Sequence, residues 1–81
     1  MSSQHIVGII GFMKEIAEDT TLPKNVRDKL EYAMEILNNG DDISMRISKA
    51  IHEIEDLVDD KNLEAYSRTQ LFNVISQLEM V

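Results

Sequence analysis

The stretch DDISMRISKAIHEIEDLVDD, residues 41–60, decides the fold class. Ile43, Ile47, Ala50, Ile51, Ile54, Leu57 and Val58 recur at intervals of three and four, the spacing that gathers side chains on one face of an α-helix. Asp41 or Asp42 stands where an N-cap carboxylate would take free N–H groups of the first turn. Alternation of period two, the mark of a half-buried strand, is absent here and elsewhere in the chain.

Beyond Asp59, Asp60, Lys61 and Asn62, a further helical stripe of Leu71, Val74, Ile75 and Leu78 runs nearly to the last residue. On the N-terminal side, Asn38, Asn39 and Gly40 close a stripe of Val26, Leu30, Ala33, Met34 and Leu37, with Gly40 suited to a left-handed cap and Pro23 to a first turn. The first stripe is Ile6, Ile9, Ile10, Met13, Ile16 and Ala17, with Ser2 or Ser3 as its cap. Four amphipathic helices joined by short connections predict an all-α protein, an antiparallel four-helix bundle. At 81 residues, the chain has room for one core and one domain, 1–81.

Laid over itself at a separation of 41, residues 1–40 fall on 42–81 without a gap, and eight of the forty pairs are identical. Apolar matches such as Ile6 with Ile47 or Leu30 with Leu71 are expected of any two amphipathic hairpins. The polar matches, Asp19 with Asp60 and Arg27 with Arg68, sit at equivalent helix ends and point to duplication. The bundle is therefore read as two similar helical hairpins, about 1–40 and 42–81.

Each acidic turn followed by a helix opening near Arg27 or Arg68 resembles the hairpin of HEAT-type repeats, where such an Asp and Arg tie neighbouring units together. Two units fall short of the three or more a solenoid needs. A closer resemblance spans nearly the whole chain. DTTLPKNVR at Asp19 to Arg27, and Arg68 and Thr69 followed by LFNVISQLE at Leu71 to Glu79, are similar to a family of short, uncharacterised archaeal proteins. Members of that family often carry Pro where this chain has Lys61 and Glu64, and Trp where it has Phe72. The resemblance implies an archaeal cytoplasmic protein and brings no catalytic residue with it.

Composition narrows the chemistry. Net charge is -7 and the eight basic residues are scattered from Lys14 to Arg68, which argues against direct nucleic-acid binding, since phosphate neutralisation needs convergent cations. With no Cys there is neither a disulfide nor thiolate chemistry, and a reducing cytoplasm suits the chain. Ile6 to Met13 is too short to span a membrane, and the uncharged residues before it do not open a signal peptide. No phosphate-binding glycine loop and no nucleophile elbow is present, and no cofactor is expected.

His52, Glu53 and Asp56 fall within one helical turn. They could offer a metal two ligands and a base, although their direction away from the apolar stripe favours a solvated face. An inward carboxylate site of the kind bundles host needs Glu-x-x-His, but Lys49 and Ser2 occupy the Glu positions before His52 and His5. Glu53, Glu55, Asp56, Asp59 and Asp60 crowd the end of the third helix, where the macrodipole disfavours anions. Screening by salt, a basic partner or a cation would relieve them.

Apolar residues that miss their own stripe carry the strongest hint of function. Tyr32 and Ile36 lie about 100° or more from the middle of theirs, and Phe72 is similarly displaced. They form either a wide core-facing arc or an exposed patch for a protein partner. The expected role is a non-enzymatic interaction module, a homodimer or an accessory subunit, using Tyr32, Ile36 and Phe72 with Arg68 and Lys29 at the rim. Metal chemistry at His52, Glu53 and Asp56 is the alternative. Gly8 and Gly11, beside Val7 on the back of the first helix, would admit another backbone.

Overall fold

The computed structural model describes residues 2–40 and 42–81, the side chains of residues 2–4 excepted. Among the described residues there are four helices and no strand: α1 (Ser2–Ala17), α2 (Lys24–Asn38), α3 (Ile43–Val58) and α4 (Ala65–Glu79). They pack into a body of 34 × 18 × 17 Å. α2 lies most extensively against α3, α3 also touches α4, and α1 meets α2 and α4, so contacts run in a ring. A HEAT-type stack would set α1 on α3 and α2 on α4. Among the described residues the backbones of neither pair come close together.

Helix ends follow local chemistry. Asp42 caps α3, its carboxylate accepting from the Met45 N–H at 3.0 Å; Asp41, the other expected cap, lies outside the described residues, as do the side chains of Ser2 and Ser3. Pro23 is the N-cap of α2, a place where its missing N–H costs nothing. Gly40, just past α2, has φ +110°, which L side chains rarely adopt. Arg46 in the first turn of α3 reaches back to the Leu37 carbonyl at 3.0 Å, setting a cation at the negative end of α2.

The core takes the apolar stripes of α1, α2 and α4 almost whole. α3 differs. Only Ala50, Ile54 and Leu57 are fully buried, while Ile43, Ile47, Ile51 and Val58 pack against the core with part of their surface open. Leu22 and Leu63, in the α1–α2 and α3–α4 loops and outside every helical stripe, are buried at 5% and 4% exposure. Their identity at a separation of 41 was the signal in the sequence.

Candidate functional site

Charged side chains at one end of the molecule bind the protein's own backbone. Arg27 donates through Nε to the Ala17 carbonyl at 3.2 Å and through a terminal nitrogen to the carbonyls of Asp19 and Leu22. Arg68 donates to Val58 at 2.9 Å, and to Asp60 and Leu63 at 3.0 and 3.1 Å. Each partner of Arg68 stands 41 positions after the matching partner of Arg27. The Asp19 carboxylate accepts from the Thr21 N–H, and that of Asp60 from the Asn62 N–H, again at equivalent positions. Each arginine thus ties its own loop together, because a planar guanidinium can serve several carbonyls near a helix end.

Hydrogen bonds from the Thr21 hydroxyl and N–H, with Arg27 nearby, hold the Asp19 carboxyl below its ordinary pKa. The Asn62 N–H, the Asn25 amide and Arg68 do the same for Asp60. Asp28 beside Lys24 raises that ammonium.

The acidic end of α3 is partly offset from within the chain. Lys29 on α2 stands 3.6 Å from Glu53 and 3.3 Å from Asp56, Asn25 reaches Asp60 at 3.1 Å, and Arg68 supplies a cation at the carbonyls where the helix dipole is negative. His52, by contrast, is exposed and borders an open groove between α3 and α4 with Glu55. Glu53 and Asp56 therefore turn to α2 while His52 turns to α4. Among the described residues no group of three or more His, Asp or Glu side chains is placed to hold a metal ion, so the metal alternative lacks its ligand set.

The off-stripe apolar residues divide. Ile36 is partly buried against the core, whereas Tyr32 and Phe72 are 53% and 51% exposed. Asn25 and Lys29 place one edge of α2 against α3, and Tyr32 and Ile36 continue that edge one and two turns on. Arg68 places one edge of α4 against the end of α3, and Phe72 follows at the next turn. Tyr32 and Phe72 therefore flank α3 from opposite sides instead of forming one patch. Arg68 and Lys29, expected at a rim, are engaged inside the molecule. Sequence reasoning missed Met45, Tyr66 and Met80, which are exposed apolar side chains as Val7, Tyr32 and Phe72 are. Each is isolated in sequence from its helix stripe, and exposure of that kind leaves no periodic trace.

Fold and surface together define a small all-helical protein with its arginines bound to helix-end and loop carbonyls and several large apolar side chains at the surface. No helix among the described residues is long and apolar enough to cross a membrane. The chain belongs to the uncharacterised protein family UPF0147, which matches residues 1–81. It is 36% identical to the UPF0147 protein of Methanocaldococcus jannaschii over 75 residues, 91% of this chain and 81% of that one. Among solved structures it is similar to MMP1188, a protein of unknown function, with a TM-score of 0.95 at 30% identity, covering 100% of this chain and 93% of that one. A UPF0147 protein from Thermoplasma acidophilum gives a TM-score of 0.89 at 25% identity, covering 96% and 93%. The short archaeal family expected from the acidic turn and the last helix is this one.

Proposed function

We propose that the protein is a non-enzymatic interaction module that self-associates or serves as a subunit of a larger cytoplasmic assembly. The observation that carries this reading is the exposure of Val7, Tyr32, Met45, Tyr66, Phe72 and Met80 on a chain of only 81 residues. Large apolar side chains cost solvation free energy at a surface unless a partner covers them. A small domain also gains from oligomerisation what its limited core does not supply. Commitment of Arg27, Arg46 and Arg68 to carbonyls, and of Lys24 and Lys29 to carboxylates, supports a protein partner over a nucleic acid.

The architecture we read is an antiparallel four-helix bundle made by duplication of one hairpin. Support comes from the ring of helix contacts and from the two arginine networks with partners at a constant separation of 41. Sedimentation across concentration tests self-association, and affinity capture from cell extract tests the subunit reading. A strictly monomeric chain that captures nothing would remove both.

A further inference from the structure

α2 and α4 are the matching helices of the two hairpins, and they differ on one side. α2 turns Lys24, Asp28, Glu31 and Glu35 to solvent, four charges along a single helix face. At a separation of 41 these become Ala65, Thr69, Phe72 and Ser76, all exposed and none charged. The only charged residues of α4 are Arg68, which is bound to its own loop, and Glu79 in the last turn. In a protein of net charge -7, one solvent-facing side of one helix thus runs uncharged for about three turns.

This side is apolar, and its polar groups are partnered within the helix. Tyr66, Phe72 and Met80 are 68%, 51% and 85% exposed. The Thr69 hydroxyl donates to the Ala65 carbonyl at 3.1 Å, and the Gln70 amide donates to the Tyr66 hydroxyl at 3.1 Å. Covering the helix would leave neither donor unmet. A helix side that meets only water ordinarily carries charged residues, as that of α2 does.

Carboxylates stand at the border of this side. Glu64 and Glu79 lie at the two ends of α4, and Glu55 lies across the α3–α4 groove. Glu15 is on the edge of α1, two turns beyond the Gly8 that lines the α1–α4 groove.

We propose that this side of α4 is a dimer interface, on which a second copy of the chain docks with α4 antiparallel to α4 about a two-fold axis near Phe72 and Asn73. A two-fold contact sets a patch against a copy of itself. Two chains of like net charge therefore meet at least cost where the centre of the patch carries no charge and the carboxylates keep to a solvated rim. Antiparallel pairing also brings Glu79 of each copy beside the start of the other α4, where the helix dipole is positive and no side chain caps the first N–H groups. A stable interface takes about 800 Å² from each partner, about a sixth of this chain's 5067 Å².

This interface rests on the self-association proposed above, and one set of experiments separates the two. Sedimentation equilibrium of the full chain over a wide concentration range should give a dimer. Phe72→Glu and Ser76→Glu should each weaken it about 100-fold or more, because each copy would bury an unpaired carboxylate. Both positions are exposed in the monomer, so helical circular dichroism should stay intact. Tyr32→Glu and Val7→Glu should leave the dimer unchanged. Added salt should tighten it, since only the carboxylate rims repel. The chain has no Cys, so Asn73→Cys should cross-link to its own copy on oxidation, whereas Tyr32→Cys, the matching position on α2, should not. A dimer that survives Phe72→Glu and Ser76→Glu, that salt loosens, or that cross-links at 32 and not at 73 overturns this surface and leaves self-association standing. A wild-type chain that stays monomeric throughout overturns both.

Discussion

Arg27 and Arg68, 41 positions apart, make the same three hydrogen bonds: each guanidinium joins the last turn of the preceding helix to two carbonyls of the loop between them. The Asp19 and Asp60 carbonyls also accept the N–H of Leu22 and Leu63, so the guanidinium adds a donor to the turn and serves the helix-end carbonyls of Ala17 and Val58, where a backbone acceptor without a partner is costly when partly buried. Arginine at both positions therefore stabilises the turn. Its five donors in a fixed plane reach acceptors that a lysine point charge would serve one at a time.

Replacing Arg27 or Arg68 by Gln should cost about 1–3 kcal/mol in each case, measured by urea denaturation. Lys should recover little of the loss. The two networks share no partner, so the double variant should fall close to the sum of the single ones. A Lys variant as stable as wild type would count against the multiple-acceptor account.

Asp19 and Asp60 supply a pH dependence. Each carboxyl is held below its ordinary value in the folded chain, so the stability it contributes is present above the unfolded pKa and lost as pH falls through the folded one. Asp19→Asn and Asp60→Asn should therefore be less stable than wild type near neutrality, with the gap narrowing in acid. Denaturation curves at a series of pH values check this, and a gap independent of pH would speak against it.

Lys29 bridges α2 to two carboxylates of α3 while remaining partly exposed. A double-mutant cycle between Lys29→Ala and Asp56→Ala should give a coupling of about 0.2–1 kcal/mol that shrinks in 1 M salt, where the screening length is only about 3 Å. Coupling that is large and insensitive to salt would mean the pair is more buried than its exposure indicates.

Leu30 and Leu71 are fully buried, whereas Tyr32 and Phe72 are half exposed. Leu30→Ala and Leu71→Ala should lose about 2–5 kcal/mol through transfer and cavity effects. Tyr32→Ser and Phe72→Ser should each lose less than about 1 kcal/mol. Thermal melts of the four variants under identical conditions make the comparison, and a large loss at Phe72 would place that ring in the core.

His52 faces the α3–α4 groove while Glu53 and Asp56 face Lys29. Zinc, manganese or calcium should leave the melting temperature unchanged, because mass-action stabilisation requires a site that exists in the folded chain. A rise abolished by His52→Ala would restore the metal reading.

Most of the fold was legible in the amino-acid order because helix periodicity, Asp42, Pro23 and Gly40 are local signals, each acting within a turn or two of its own position. The 41-residue correspondence was legible too, since Asp19, Arg27 and their counterparts are identical letters. What those letters do was not. Whether Arg68 points to solvent or into a loop depends on where three carbonyls lie, and Val58, Asp60 and Leu63 gather around it only once α3 and α4 have packed. The same holds for the candidate surface. Wheel geometry put Tyr32 and Phe72 off their stripes, yet only the order of the helices around the ring set α3 between them. Sequence alone determined the four helices, whose signals act between near neighbours along the chain, and the 41-residue correspondence, which is legible as identical letters. Tertiary structure decided which carbonyls Arg27 and Arg68 reach and which carboxylates Lys29 meets, because that depends on residues well separated along the chain being brought within hydrogen-bonding reach.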